Sequence, residues 1–129
     1  MTEQEATRLF EKWRKILHLE AWDIKFQWCV RGRDMPLTDS LGCASYTYES
    51  RQAIIRMLDP VDFENKLFEY DYERTLVHEM LHLKFAGLDD SGDTLRDKLT
   101  HQLIDDLARA FVSAQRQNRV DTADCDLVY

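Results

Sequence analysis

The stretch ERTLVHEMLHLKF, residues 73–85, decides the fold of this 129-residue chain. Its apolar residues recur at helical spacing and lie on more than one side of the helix, which predicts a helix that is largely buried. Gly87 follows at a position where it can terminate that helix. A chain of this length fits one domain with a core of its own, and this helix is its predicted centre.

Within this stretch, His78 and His82 are four residues apart, and Glu79 follows the first of them. Residues four apart lie on one face of a helix, so the two imidazoles can point at a common metal ion. Glu79 is rotated by about 100° from His78, which places its carboxylate beside the metal, where it can contact a metal-bound water. The pattern therefore predicts two zinc ligands and a general base.

A catalytic zinc usually takes three protein ligands and leaves a fourth position for water. The chain has four histidines, and His101 is the one in the predicted last helix. A short loop at residues 88–92 would fold that helix antiparallel onto the motif helix, so His101 is predicted as the third ligand. Asp105, one turn further on, is an alternative ligand or a hydrogen-bond partner for a metal-bound histidine. His18 is interpreted as a packing residue or as a charge partner for a helix C-terminus.

The other elements are predicted from periodicity and turn residues. Thr2 and Glu5 have the form of a capping box, before an amphipathic helix that ends near residue 18. Alternating apolar residues predict three strands, the last two as a hairpin, at residues 22–30, 44–48 and 53–58. A last long helix is expected to end near residue 112, so we predict a single domain at residues 1–112 and a polar, flexible tail at residues 113–129.

The composition excludes several classes of function. Acidic residues outnumber basic ones by 24 to 17, and the formal net charge of −7 would repel a nucleic-acid backbone. No apolar run approaches the roughly 20 residues that a membrane span needs, and the N-terminus is acidic where a signal peptide would be basic. We therefore expect a cytoplasmic protein without nucleic-acid or membrane partners. The three cysteines contain no CxxC pair, so no disulfide framework or cysteine zinc site is predicted.

The motif segment, residues 75–83, is preceded by a set of apolar residues, namely Trp13, Leu17, Leu19, Trp22 and Ile24. Together they resemble the metallopeptidases of bacteriophages, which are similar to minigluzincins and more distantly to SprT-like proteases. The resemblance implies an α+β fold with a zincin-like minimal core: an N-terminal helix, a small mainly antiparallel sheet, the HExxH helix and a C-terminal helix packed on it. Many of these relatives carry a glutamate as third ligand where this sequence has His101, so a three-histidine site is implied here.

We thus expect a zinc metallopeptidase with one Zn²⁺ per chain, held by His78, His82 and His101, and with Glu79 as general base for the hydrolysis of a protein or peptide. If the strand at residues 44–48 is a sheet edge, it can hold that substrate by strand addition. Tyrosines are candidates to stabilise the oxyanion by residue type alone, namely Tyr46, Tyr48, Tyr70 and Tyr72. Two alternatives stay open: a non-catalytic zinc-containing binding protein, such as a phage factor acting on a host partner, and a zinc hydrolase of a non-peptide amide.

Overall fold

The computed structural model describes residues 1–64, 67–88 and 92–128, with side chains up to residue 118 in the last helix. Within these residues the helices and strands are α1 (Glu3–Ile16), β1 (Asp23–Val30), β2 (Gly42–Thr47), β3 (Gln52–Leu58), α2 (Tyr72–Lys84) and α3 (Thr94–Val128). The predicted α+β fold class is confirmed, with one helix before the sheet and two after it. Most of the predicted loop at residues 88–92 and the last residue of the predicted tail lie outside the described residues.

The three strands form one mixed sheet in the order β1-β3-β2. β2 and β3 form the predicted antiparallel hairpin, with Gly42 opposite Met57 and Thr47 opposite Gln52. β1 is parallel to β3, because the chain crosses from one edge of the sheet to the other between β1 and β2. Among the described strands, β2 is therefore an edge. The central strand, β3, contributes the buried side chains of the sheet, Ala53, Ile55, Met57 and Leu58.

α1 begins at the predicted capping box. Thr2 Oγ1 accepts a hydrogen bond from the Glu5 amide at 3.2 Å, and Glu5 Oε2 accepts one from the Thr2 amide at 3.0 Å. One face of the helix is buried, and its fully buried Trp13 donates from Nε1 to Glu73 Oε2 at 2.8 Å. A buried indole N–H requires such an acceptor, so this bond fixes α1 against the first turn of α2.

α2 lies at the centre of the core, as the apolar pattern of its sequence predicts. Asp71 caps it by accepting a hydrogen bond from the Arg74 amide at 3.0 Å. The helix contacts α1, the sheet and α3, and its buried apolar residues are Leu76, Val77, Met80, Leu81 and Leu83. Burial on several sides holds α2 rigidly, which favours a site that depends on the direction of its side chains.

α3 is longer than predicted: the expected end near residue 112 is wrong, and the helix continues to Val128. A long-range ion pair anchors the first part of this extension. Both terminal nitrogens of Arg116 donate to Asp71 at 2.9 Å, and one of them also reaches Glu73 at 3.4 Å. Sequence periodicity detects apolar faces and misses a polar segment that is held by charges elsewhere in the chain. In the described part of the protein, no helix is long and apolar enough to cross a membrane.

Candidate metal centre

α2 and α3 lie side by side in opposite directions. Near the end of α2, His82 faces His101, which lies in the first half of α3. At the start of α2, its N-cap residue Asp71 is bound by Arg116, four turns further along α3. The antiparallel packing that the sequence predicts for these two helices is therefore present.

The imidazoles of His78, His82 and His101 form a triangle between these helices. The ring centroids are 5.1 Å apart for His78 and His82, 4.9 Å for His78 and His101, and 5.6 Å for His82 and His101. One nitrogen from each ring lies within 4.8 Å of the corresponding nitrogen of the other two. The three histidines are thus close enough to hold a metal ion. They are also the three residues predicted as ligands, although metal binding itself stays a prediction.

The triangle borders solvent at His101, whereas His78 is largely buried. Burial and the neighbouring imidazoles of His82 and His101 lower the pKa of His78 to about 4, against an opposing effect of Asp105. His78 is consequently neutral at neutral pH. A neutral imidazole offers the lone pair that a metal ligand needs.

Asp105 contacts His78 and does not belong to the triangle. Its Oδ1 lies 3.5 Å from His78 Nδ1, and its Oδ2 lies 3.2 Å from a terminal nitrogen of Arg109. Among the described residues, the group whose donor atoms converge contains the three histidines without Asp105. Of the two predicted roles for Asp105, the structure therefore favours that of a carboxylate that orients His78 by facing its Nδ1.

Glu79 is buried, with 8% of its surface exposed, because the start of β2 lies directly against it. A Cβ atom placed on Gly42 would be 2.9 Å from Glu79 Cγ and 3.1 Å from Thr75 Cγ2, which is too close for any other residue type without a shift. Gly42 thus permits the close approach of β2 and α2. The carboxylate is confined on the same helix as His78 and one residue beyond it.

His78 and Glu79 both line a cavity of about 340 Å³ between α2, α3 and the start of β2. Its walls also carry Leu41, Gly42, Arg74, Thr75, Asp105 and Arg109. Sequence reasoning did not single out Gly42 or the two arginines. A signal exists for the arginines, since each lies four residues from His78 or Asp105 on its own helix. The sequence contains no comparable signal for Gly42, because the role of this residue depends on a contact between distant parts of the chain.

A larger cavity, of about 680 Å³, lies beside the connection between β1 and β2. Its charged residues include Arg31 and Asp62, which bind each other at 2.8 Å and 3.1 Å. The described residues that line it include no histidine. The smaller cavity is lined by one histidine of the triangle, His78, together with the confined Glu79, and His82 and His101 are not among the described residues that line it.

The tyrosines that were candidates for stabilising an oxyanion are held by other contacts, although Tyr70 reaches the cavity wall by donating to the carbonyl oxygen of Leu41 at 3.2 Å. Tyr70 donates to the carbonyl oxygen of Leu58 at 2.9 Å, and Tyr72 donates to that of Trp28 at 2.7 Å. Burial raises the pKa of both hydroxyls. The ring of Tyr46 packs edge-on against Trp22, with 6.3 Å between the ring centroids, and that of Tyr48 lies beside Gly87. None of the four is among the described residues that line the cavity shared by His78 and Glu79.

His18 stands apart from the three other histidines, at the end of α1. Its backbone has a positive φ of 54°, and its carbonyl oxygen accepts a hydrogen bond from Lys84 at 3.5 Å. It is exposed and is not part of the converging group of described residues, so the packing role is not supported and the role as a charge partner for the helix C-terminus stays a prediction. The resemblance to bacteriophage metallopeptidases stays a prediction, because none of the family models, curated proteins or solved structures compared with this chain matches it.

Proposed function

We propose that this protein is a zinc-dependent peptidase in which His78, His82 and His101 hold the zinc ion and Glu79 acts as general base. The observation that carries the proposal is the convergence of three imidazole nitrogens within 4.8 Å beside a buried glutamate. Two of the histidines and the glutamate form an HExxH sequence on one helix, and the third histidine comes from the helix packed against it.

The arrangement fits zinc in ligand type and in spacing. Zinc accepts imidazole nitrogen at 2.0–2.1 Å, and in a tetrahedral site two such nitrogens are about 3.4 Å apart. The nitrogens of the triangle lie within 4.8 Å of one another, so small side-chain rotations bring them to that spacing. Three protein ligands leave one position for a water or a substrate oxygen, as catalytic sites require.

Each residue has a defined part in hydrolysis. His78 is neutral and is oriented by Asp105, which keeps its other nitrogen directed at the metal position. A bound zinc ion supplies Lewis-acid chemistry there, polarising a carbonyl and acidifying a water molecule. Glu79 takes the proton of the attacking water and delivers it to the leaving amine. Its confinement beneath Gly42 limits the positions that the carboxylate can adopt, which favours a fixed geometry for this transfer.

The position of β2 supports a peptide as the substrate. β2 is an edge of the described sheet, and its first residue, Gly42, lines the cavity together with His78 and Glu79. An extended peptide can add to such an edge through backbone hydrogen bonds. A peptide held in this way would pass the metal centre at the point where β2 begins.

The test compares the purified protein with Glu79→Gln, using zinc content and the release of peptides from denatured casein. We expect both proteins to bind one zinc ion per chain and only the unchanged protein to release peptides. Loss of the general base lowers the rate by a factor on the order of 100 to 10,000. Glu49→Gln, in the exposed turn of the hairpin, is the matched control and should keep full activity.

Equal hydrolysis by the Glu79→Gln protein would contradict the role of Glu79. A protein that binds zinc and releases no peptide from casein would support the non-catalytic binding protein instead. A substrate screen with simple amides would then separate that class from a hydrolase of non-peptide amides.

A further inference from the structure

Two rows of polar residues face each other across the seam between α2 and α3. One row is Arg74, His78 and His82 on α2, and the other is His101, Asp105 and Arg109 on α3. Within each row the residues are four apart and share one face of the helix. Because the helices are antiparallel, the histidines meet at one end of the seam and the two arginines lie towards the other. Both arginines line the cavity that His78 and Glu79 share.

The two arginines differ in how they are held. A terminal nitrogen of Arg109 lies 3.2 Å from Asp105, and the side chain is 60% exposed. Arg74 is at the start of α2, where its backbone amide is bound by Asp71 and its side chain lines the cavity. A guanidinium carries five N–H donors in a planar fork, so the contact with Asp105 leaves donors of Arg109 for a second carboxylate.

The charged side chains that line the cavity balance each other, with Arg74 and Arg109 against Glu79 and Asp105, and a divalent ion at the three histidines would make the site positive. Arg74, Arg109 and a divalent ion together carry four positive charges, against two negative charges on Glu79 and Asp105. The chain itself has a net charge of −7. A positive site in an acidic protein selects an anionic group among otherwise similar ligands.

The distance from the metal centre to the two arginines determines how far the anionic group of the substrate lies from the cleaved bond. Arg74 precedes His78 by one helical turn, which is about 6 Å along the helix axis. An extended peptide covers roughly 3.3 Å per residue, so this distance corresponds to about two residues. A carboxylate that reaches Arg74 and Arg109 is therefore within about two residues of a bond held over His78 and Glu79.

We propose that Arg74 and Arg109 bind a carboxylate of the substrate, so that the enzyme prefers peptides with an acidic side chain or a terminal carboxylate within two residues of the cleaved bond. The proposal rests on the peptidase function proposed above. It adds the substrate class, which the metal centre by itself does not define.

The first test is the cleavage profile of a tryptic peptide library, identified by mass spectrometry. Enrichment of Asp and Glu within two residues of the cleaved bonds would assign the subsite to acidic side chains. Cleavage concentrated within two residues of the peptide C-termini would assign it to terminal carboxylates. Cleavage with neither preference overturns the inference and leaves the peptidase function standing.

Variants then test the arginines. In Arg74→Gln and Arg109→Gln, the ratio of kcat/KM between an acidic peptide and the same peptide with Gln in place of Glu should fall by about 10- to 100-fold, as for other charge-assisted contacts. Arg8→Gln, on the exposed face of α1, is the matched control and should keep the ratio. An unchanged ratio in both cavity variants would overturn the inference. Melting temperature and zinc content confirm that each variant is folded and loaded.

A binding measurement makes the inference independent of turnover. Zinc-loaded Glu79→Gln protein is titrated by calorimetry with acetyl-tetraglutamate amide and with acetyl-tetraglutamine amide. We expect the acidic peptide to bind about 10- to 100-fold more tightly than the neutral one. This preference should be lost in double variants that carry Glu79→Gln together with Arg74→Gln or Arg109→Gln. Equal affinities, or a preference that survives both arginine changes, contradict the carboxylate subsite even if the protein hydrolyses nothing.

Discussion

Polar side chains lie at both ends of the contact between α2 and α3, but the two ends are constructed in opposite ways. At one end, Arg116 binds Asp71 and Glu73, so opposite charges pair within the chain. At the other end, three histidines stand 4.9–5.6 Å apart, and no acidic residue belongs to their converging group among the described residues. We call these the ionic end and the histidine end.

The two ends differ in what their side chains are suited to do: the ionic end suits a structural role, and the histidine end suits the binding of a ligand. The ionic end satisfies its charges internally and joins the start of α2 to the middle of α3. The histidine end brings together groups of one kind, with burial and neighbours lowering the pKa of His78 to about 4. Three imidazole nitrogens within 4.8 Å of one another favour a cation from outside the chain. Changes at the histidine end should therefore alter metal binding, and changes at the ionic end should alter stability.

The largest expected effect is that of removing a histidine ligand. His82→Ala should weaken zinc binding by a factor on the order of 100 to 1,000, the share of one ligand in the total binding energy of a zinc site. Competition with a chromophoric chelator measures the affinity. His18→Ala, outside the triangle, is the control and should bind zinc as the unchanged protein does. Undiminished affinity in His82→Ala would exclude this residue from the ligand set.

A smaller effect is expected from Asp105→Asn, which keeps the size of the side chain and removes its charge. Loss of a carboxylate beside a metal-bound imidazole typically costs about 10- to 100-fold in metal affinity. The same chelator competition applies, with Asp106→Asn, exposed on the neighbouring face of α3, as control. A loss as large as that of His82→Ala would instead indicate that Asp105 is itself a ligand.

The smallest effect belongs to the ionic end. Arg116→Gln should lower the free energy of unfolding by about 1 kcal/mol, because the pair is partly exposed and screened by solvent, and should leave zinc affinity unchanged. Chemical denaturation measures the first quantity. Arg33→Gln is the control, since its contact with Asp34 at 3.9 Å is largely exposed and should contribute little. Weaker zinc binding in Arg116→Gln would contradict the claim that the ionic end contributes to stability and not to metal binding.

The stability effect of Arg116→Gln should also depend on pH. The Arg116 guanidinium lowers the pKa of Asp71 below its ordinary value. The stabilisation is therefore complete above the unfolded pKa of about 3.9 and is lost as the pH falls through the lower folded value. The difference in unfolding free energy between the unchanged protein and Arg116→Gln should become smaller as the pH falls below about 3.9. A difference that grows with acid would contradict the assignment of this ion pair.

The sequence predicted the histidine end far better than the ionic end. His78 and His82 are related by helical spacing alone, and His101 required only that the next helix fold back on α2. The ionic end depends on Arg116 meeting residues more than 40 positions away, for which the local pattern carries no signal. The apolar pattern stops near residue 112 and therefore predicts a shorter α3 than the helix that continues to Val128.

The contribution of the sheet to the cavity was likewise beyond local patterns. The hairpin was predicted from alternation and turn residues, but the parallel pairing of β1 with β3 follows from the path of the chain between strands. That path sets β2 at an edge and Gly42 against Glu79. In the sequence, Gly42 was one of several turn residues in a predicted loop, and only the three-dimensional contact explains it.

The most direct test of the central claim is the X-ray absorption spectrum of the zinc-loaded protein at the zinc edge. We predict three imidazole nitrogens at about 2.0–2.1 Å and one oxygen ligand, with one imidazole lost in His101→Ala. A spectrum with two imidazoles, unchanged by His101→Ala, would contradict the three-histidine centre between α2 and α3.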